Sequence, residues 1–376
     1  MSKRQKRIIL IDVVSPLVNL VEAEKFLMEM MSLINTYRGG EVIKIIQRRA
    51  HPHPGTYIGS GKAEEVAEMV KNLKVDIVIL NAIADSTQLY KLLQMFWRNN
   101  PNIEVWDRID LILHIFDKHA RTAESKLQIE LARMRHMGPR MYGLSEQLGR
   151  QTGGIGGRGV GETNIELMKR HWRDEMKKTK DKLDGLLKTH ENQIKRRREI
   201  GFQTISIVGY TNAGKTTLFN ALTGKKKRVE NVLFATLESY VGKLYLPNIK
   251  KEVLISDTIG FIQNLPTLLI TAFKSTLMES VHAEILLHVI DASDPDMYKK
   301  IETVENILEE LGRDPKNTIY VFNKTENLHE SFKKELSEEF KPQHPIFISA
   351  KTGEGVEKLI YFFQDAKKII NNYSGL

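Results

Sequence analysis

The sequence predicts an α/β protein in three parts: a small α/β domain at residues 1–110, an antiparallel helical hairpin at 111–200, and a doubly wound α/β domain at 202–370. Two patterns support this division. Apolar runs of strand length alternate with amphipathic helix patterns at both ends of the chain. Between them the pattern is helical and highly charged, and a glycine-rich stretch interrupts it. The chain length of 376 residues also exceeds what one hydrophobic core usually organises.

The composition is that of a folded protein with a basic surface. Hydrophobic residues make up 41% of the chain and charged residues 27%, as in ordinary globular domains. Lys and Arg outnumber Asp and Glu by 56 to 47, which favours a polyanionic partner. The absence of cysteine excludes disulfides and thiolate metal sites. The sequence also lacks an apolar run long enough for a membrane span or a signal-sequence core, so by elimination we expect a cytoplasmic protein. We also expect a monomer.

The first 110 residues alternate strand and helix patterns. The predicted strands are 7–14, 41–49, 76–80 and 103–105, and the predicted helices are 18–37, 63–72 and 86–98. A glycine-containing segment at 57–62 ends in a lysine but lacks the spacing of a phosphate-binding loop. We interpret it as a tight turn that caps a helix and keep nucleotide contact as an alternative.

The middle of the chain predicts two helices around a glycine-rich tip. The first helix pattern ends at Gly138-Pro139, because proline disrupts a helix interior, and the second begins at about residue 162. Between them, residues 138–161 combine glycines with arginines, which suits close approach to an RNA backbone. A solvated helix face is the alternative explanation for the basic second helix. The RNA-binding candidates are Arg140, Arg150, Gly153, Gly154, Gly156, Gly157 and Arg158.

A phosphate-binding loop opens the third part. Residues 209–217 match the spacing G-x-x-x-x-G-K-[ST], after an apolar strand pattern at 204–208 and before a helix pattern. Glycines let backbone N–H groups surround phosphate oxygens, and the helix N-terminus adds positive potential. Lys215 supplies a mobile charge, and the hydroxyl of Thr216 suits Mg²⁺.

Two further elements follow in the order that a GTPase requires. A strand pattern leads into Asp257-Thr258-Ile259-Gly260, a D-x-x-G motif in which Asp257 is placed to hold Mg²⁺ and the Gly260 N–H to meet the γ-phosphate. Thr236 lies between this motif and the phosphate loop, where its hydroxyl can close over the metal. We therefore predict that Thr216, Thr236 and Asp257 form the metal site.

Base recognition is predicted at the next two strand ends. Asn323-Lys324-Thr325-Glu326 approximates the motif N-K-x-D, and Ser349-Ala350-Lys351 follows the last predicted strand. Such ordered motifs at strand ends indicate the ligand crevice of a doubly wound sheet, so we predict a GTPase domain. The nucleotide-binding candidates are Gly209, Asn212, Ala213, Gly214, Lys215, Thr216, Thr217, Phe234, Thr236, Asp257, Gly260, Asn323, Lys324, Glu326, Ser349, Ala350 and Lys351.

Two residues depart from the usual motifs. Glu326 stands where an aspartate accepts the guanine N–H groups, and its extra methylene predicts relaxed guanine selectivity. Phe261 follows Gly260, where Ras-type enzymes place a glutamine that orients water, and an apolar ring cannot do so. Asn212 resembles the asparagine with which cation-assisted GTPases hold K⁺. We therefore expect slow basal turnover, with Lys215, Thr236, Gly260 and Asn212 as the catalytic candidates.

Taken together, the motifs resemble those of HflX-type GTPases, within the translation-factor-related P-loop class. The resemblance rests on segments in all three parts of the chain, at residues 57–62, 121–132, 153–163, 209–216, 234–237 and 257–262. It implies a GTPase that uses Mg²⁺ and binds ribosomal RNA of the large ribosomal subunit through the hairpin and the first domain. It further implies that stalled or idle ribosomes are split under stress. A role in large-subunit assembly and a nucleotide-gated RNA-binding module with negligible turnover remain alternatives.

Overall fold

The computed structural model describes residues 5–37, 39–152, 160–200, 203–225, 233–234, 240–263, 265–273, 277 and 282–373. The chain divides into two compact units, Met1–Lys118 with Lys126–Leu183 and His119–Ser125 with Asp184–Leu376. The division into three domains stays a prediction. None of the helices in the described part of the chain is long and apolar enough to cross a membrane.

The first unit contains the small α/β domain that the sequence predicted. Its four strands pair in parallel in the order β2-β1-β3-β4. The strands are β1 (Arg7–Val14), β2 (Glu41–Arg48), β3 (Ile77–Leu80) and β4 (Glu104–Trp106). The helices are α1 (Leu20–Tyr37), α2 (Ser60–Asn72), α3 (Ser86–Trp97), α4 (Arg108–His119), α5 (Ala123–Thr152) and α6 (Val160–Glu199). Part of each of the last three belongs to the second unit. Strand β3 is buried at every position, as expected of a parallel strand with both faces covered.

The glycine-containing segment before α2 forms the predicted tight turn. Tyr57 has a left-handed φ of 63°, and α2 begins three residues later at Ser60. The Gly59 N–H donates to Gln47 Oε1 at 2.8 Å, which ties the turn to the end of β2. This confirms the interpretation of residues 57–62 as a turn that leads into a helix.

Helix α5 corrects the prediction that Gly138-Pro139 ends the first hairpin helix, because α5 continues to Thr152. A proline inside a helix costs about 3 kcal/mol. The turns on both sides of it are held by carboxylates at the start of α4: His136 Nε2 lies 3.1 Å from Asp107 Oδ1, and Arg140 donates to Asp107 and Asp110 at 2.7 Å each. These long-range contacts offset the local cost, and no local sequence pattern reveals them.

The second unit is a doubly wound α/β domain, as predicted. Its sheet has the order β10-β9-β8-β5-β7-β6, with β6 antiparallel to β7 and the other pairs parallel. The strands are β5 (Thr204–Val208), β6 (Tyr240–Leu246), β7 (Lys251–Asp257), β8 (Ile285–Asp291), β9 (Ile319–Asn323) and β10 (Ile346–Phe347). The helices are α7 (Lys215–Thr223), α8 (Thr267–Ala272), α9 (Met297–Glu310), α10 (Glu330–Glu339) and α11 (Val356–Tyr373).

Strand order places a crevice at the carboxyl end of β5. The chain runs from β5 to β6 and β7 on one side of the sheet, then crosses to β8, β9 and β10 on the other. Ligands of open α/β sheets bind where the strand order reverses in this way. Apolar side chains of β5 and β8, among them Ile207 and Val289, are fully buried and fix these two strands at the centre.

Strand β8 also carries a buried histidine. The His288 ring packs edge-on against Tyr320, with ring centroids 5.1 Å apart. Burial, together with the charge of Lys215, lowers the pKa of His288 to about 3. In the pH range in which the unfolded chain begins to protonate this histidine, the imidazole of the folded protein therefore stays neutral.

Acidification is expected to destabilise the second unit through His288. Below the ordinary histidine pKa of about 6.5, His288 binds a proton in the unfolded chain but stays neutral in the folded protein. The free energy of unfolding therefore falls by roughly 1.4 kcal/mol per pH unit until the pH reaches the pKa of His288 in the folded protein. Thermal unfolding from pH 7 to 4.5 should show a shallower decline for His288→Leu than for the parent chain. The exposed His329→Leu is the control, and equal slopes for all three proteins would contradict the assignment.

Candidate nucleotide-binding site

The loop at 209–214 joins β5 to α7 in a conformation that only certain residues adopt. Gly209 has a φ of 148°, and a Cβ there would collide with the Val289 carbonyl oxygen. Gly214 precedes α7 with a φ of 97°, and Asn212 is exposed with a left-handed φ of 65°. The loop therefore presents backbone N–H groups at a helix N-terminus, the arrangement that binds phosphate.

Lys215 begins α7 and its ammonium group lies inside this loop. The side chain is 6% exposed, and Nζ donates to the carbonyl oxygens of Gly209 at 3.0 Å and Tyr210 at 2.7 Å. A Cβ built on Gly260 would lie 2.9 Å from the same Nζ. The ammonium group thus stands between the phosphate loop and the D-x-x-G loop, where β- and γ-phosphates must be neutralised.

Two of the three predicted metal ligands are in contact. Thr216 Oγ1 donates to Asp257 Oδ2 at 2.9 Å, and Asp257 is fully buried at the end of β7. A hydroxyl and a carboxylate oxygen at the mouth of a phosphate loop are the donors that Mg²⁺ takes. These residues fit the Mg²⁺ that P-loop GTPases use with GTP. Thr236, the third predicted ligand, lies outside the described residues.

Hydrogen bonds from backbone N–H groups join the D-x-x-G loop to the phosphate loop. The Phe261 N–H donates to Gly209 O at 3.1 Å, and the Thr211 N–H donates to Phe261 O at 2.8 Å. The Gln263 N–H then donates to the hydroxyl of Tyr210 at 2.6 Å. The Phe261 side chain is 1% exposed, so it lies in the core and supplies no polar group to water.

Asn323 connects two of the predicted loops. At the end of β9, its Nδ2 donates to Ala213 O at 2.8 Å, and its Oδ1 accepts the Ala350 N–H at 2.9 Å. Lys324 follows with a left-handed φ of 63°, and its Nζ pairs with Asp291 Oδ2 at 2.6 Å. The amide of Asn323 therefore fixes the position of the phosphate loop relative to the 349–351 loop.

The glutamate that replaces the usual aspartate is held by a serine. Ser349 Oγ, which is fully buried, donates to Glu326 Oε1 at 2.5 Å. This bond lowers the pKa of Glu326, with smaller contributions from Lys351 and Lys324. The carboxylate is therefore ionised and fixed in direction, as acceptance of two guanine N–H groups requires.

Replacement of this carboxylate is expected to weaken GTP binding. Glu326→Gln should lower GTP affinity about tenfold or more, because an amide N–H then faces a base donor and roughly 1–3 kcal/mol is lost. ATP affinity should not fall. Titration with fluorescent GTP and ATP analogues measures both, with the exposed Glu330→Gln as control. Unchanged GTP affinity would show that Glu326 does not contact the base.

The structure brings most nucleotide candidates together at one end of the sheet of the second unit. Thr217 is half-buried on α7, and Phe234 is 2% exposed with a left-handed φ of 57°. The glycine candidates and Arg158 of the hairpin tip lie outside the described residues. Arg150 lies on α5, but its side chain is outside the description.

Arg140, one of the RNA candidates, forms ion pairs within the first unit, and its RNA contact stays a prediction. Its guanidinium binds Asp107 and Asp110 at 2.7 Å each and lies beside His136, within the first unit. The two carboxylates occupy two of the five N–H donors of the guanidinium and so compete with a phosphate for it. Asp107, Asp110 and His136 could together hold a metal ion by distance, but Arg140 already supplies the positive charge there.

Two residues of the phosphate loop were missed by sequence reasoning. Tyr210 and Thr211 occupy variable positions of the motif, so its spacing gives them no role. In the structure both contact the D-x-x-G loop, Tyr210 through its hydroxyl and Thr211 through its N–H. The parallel bridge between Tyr210 and Phe261 joins positions far apart in sequence, which a local pattern does not reveal.

Comparison with known proteins shows what the whole chain is similar to. Three family models match: "GTP-binding GTPase N-terminal" at residues 24–117, "GTP-binding GTPase Middle Region" at 119–197 and "50S ribosome-binding GTPase" at 204–324. A GTPase HflX of Caldanaerobacter subterraneus is 42% identical over 96% of this chain and 80% of its own length. That of Escherichia coli is 39% identical over 89% and 77%. The crystal structure of the SsGBP and GDP complex has a TM-score of 0.54 and 24% identity, covering 97% of this chain and 99% of that chain, which shows a shared fold.

Proposed function

The chain belongs to the HflX family of GTPases and hydrolyses GTP, and on that premise we propose that it acts on cytoplasmic ribosomes. Its target is the large subunit and its ribosomal RNA, and its role is to split or rescue stalled or idle ribosomes under stress. The proposal is supported by the match of residues 204–324 to a family described as a 50S ribosome-binding GTPase. It is also supported by a basic surface on α6.

That surface, here called the α6 basic stripe, consists of Arg170, Arg173, Lys177 and Lys180. All four side chains are exposed, and their spacing places them within about one quarter of the helix circumference at 3.6 residues per turn. Basic side chains aligned along one helix face match the charge density of a nucleic-acid backbone. The stripe is therefore the part of α6 that we assign to ribosomal RNA.

In the proposed cycle, the phosphate loop and Lys215 bind the β- and γ-phosphates, and the Gly260 N–H bonds the γ-phosphate. Thr216, Asp257 and Thr236 would hold Mg²⁺, which neutralises charge on the phosphates. Asn212, exposed on the loop, would hold K⁺ beside them. Because Phe261 is buried and apolar, turnover without a partner is slow, and docking on the large subunit stimulates it.

The experiment that tests this function is GTP hydrolysis with and without purified large subunits, in K⁺ and in Na⁺ buffer, with ATP as the second substrate. Strong stimulation of GTP turnover supports the proposal, and sedimentation of assembled ribosomes then tests splitting. Turnover that the subunit does not change would refute ribosome coupling, and equal rates in K⁺ and Na⁺ would refute the cation role.

Charge reversal separates ribosome binding from catalysis. Arg173→Glu combined with Lys177→Glu should lower subunit affinity and its salt dependence, since each lost phosphate contact reduces the slope of log K against log salt by about 0.7–0.9. Basal hydrolysis should not change. The matched control reverses Lys178 and Lys182, which are exposed on the other side of α6.

A further inference from the structure

Thr211 carries a buried hydroxyl at the seam between the two loops that enclose the γ-phosphate site. The residue is 8% exposed, and its Oγ1 makes no hydrogen bond with any described residue. Its methyl group lies against Gly260, where an added Cβ would come within 2.7 Å of Thr211 Cγ2. The Thr211 side chain therefore stands beside the D-x-x-G glycine, with its methyl group facing that glycine and its hydroxyl on the same Cβ.

A buried hydroxyl without a partner lowers stability, because it loses its bonds to water and gains none. Two other buried hydroxyls of the second unit are paired: Ser256 Oγ donates to Ser206 Oγ at 3.0 Å, and Thr258 Oγ1 donates to Ile207 O at 2.6 Å. Valine would fill the position of Thr211 with the same shape and without that loss. What distinguishes Thr211 from such a residue elsewhere is its place in the phosphate loop, where its hydroxyl can bond to a ligand or to water bound there.

The chemistry of the site indicates the role. Phe261 occupies the position from which a glutamine would orient the attacking water, and its ring is buried. Thr211 approaches Gly260 from the opposite loop, and its backbone N–H already bonds Phe261 O at 2.8 Å. Oγ1 shares its Cβ with the methyl group that faces Gly260, so rotation about the Cα–Cβ bond brings the oxygen to that place. There it can accept a hydrogen bond from a water molecule near the γ-phosphate. It supplies the polar group that Phe261 lacks.

We propose that Thr211 is a catalytic residue whose Oγ1 accepts a hydrogen bond from the attacking water and directs its lone pair at the γ-phosphorus. The water oxygen forms the new bond to phosphorus while the bond from phosphorus to the β–γ bridging oxygen breaks. The electron pair of that bond leaves with GDP, and the water protons pass to inorganic phosphate and solvent. Thr211 itself is neither protonated nor consumed.

The test compares three variants of the full chain in single-turnover GTP hydrolysis. Thr211→Val removes the hydroxyl and should lower the rate constant about tenfold or more, because loss of the reacting geometry can cost on the order of a hundredfold. Thr211→Ser keeps the hydroxyl and should stay within about threefold of the parent. Thr318→Val is the matched control, because Thr318 Oγ1 is also buried without a partner among the described residues, immediately before β9. It should leave the rate unchanged.

Binding measurements distinguish catalysis from a structural effect. Thr211→Val should bind GDP as the parent does but lose affinity for GDP with aluminium fluoride, which imitates the transferring phosphoryl group. Without nucleotide, both valine variants should unfold at a temperature equal to or above that of the parent. A parent-like rate for Thr211→Val, an equal loss for Thr211→Ser, or a parallel loss of GDP affinity would overturn the proposal.

Discussion

Lys215→Met is expected to reduce GTP turnover by at least about a hundredfold. Hydrogen bonds to charged groups contribute roughly 1.5–3 kcal/mol each, and an ammonium shared between two phosphate oxygens forms two of them. At 1.4 kcal/mol per factor of ten, their loss corresponds to about 10²–10⁴ in rate. The ammonium already donates to two loop carbonyls at 3.0 and 2.7 Å, so nucleotide binding requires only that it exchange partners within the same loop.

Lys225→Met is the matched control for this prediction. Lys225 also donates to a backbone carbonyl, that of Val241 at 2.9 Å, but it follows α7 rather than beginning it and is exposed. Its loss removes a charge and one similar bond from the same unit without touching the phosphate loop. Measurement of kcat and GTP affinity for both variants separates the two positions. Similar kinetic losses in both would mean that general charge, rather than the position of Lys215, supports turnover.

The sequence predicted the parts of this site that a short run of contiguous residues defines. A phosphate loop needs glycines and a lysine at set spacing between a strand and a helix, and Gly209, Gly214 and Lys215 meet that need within one short segment. Strands β5 and β7 carry their apolar patterns locally as well. Motif order along the chain then places the loops at one edge, because parallel strands end on the same side of a sheet.

What the sequence did not predict depends on contacts between distant residues. Helix α5 passes Pro139 because carboxylates about thirty positions earlier hold His136 and Arg140. The motif predicts that Asn323 recognises the base, but its amide also forms hydrogen bonds to Ala213 and Ala350 on two sides of the site. Thr211 becomes a candidate only through its contact with Gly260, which is distant in sequence. Tertiary partners decide each of these cases, so local propensity could not.

Gly214→Ala is expected to abolish measurable nucleotide binding and to destabilise the second unit. At a φ of 97° an alanine carries roughly 1–2 kcal/mol of strain. Its Cβ would also collide with Asn323 Nδ2, the atom that donates to Ala213 O. Displacement of this amide breaks hydrogen bonds worth about 0.5–1.5 kcal/mol each and releases the phosphate loop from the loop at 349–351. Mant-GDP titration and thermal unfolding measure the two effects.

Gly312→Ala isolates the collision from the backbone strain. Gly312 has a similar φ of 83°, but a Cβ there meets no atom within 4 Å. Both variants carry the strain of a left-handed alanine, while only Gly214→Ala moves Asn323. The control should therefore lose about 1–2 kcal/mol of stability and keep its GDP affinity. If the two variants lose stability equally and Gly214→Ala still binds GDP, the amide of Asn323 does not hold the loop. If only Gly214→Ala loses GDP binding, the nucleotide site requires the hydrogen bonds by which Asn323 joins the two loops.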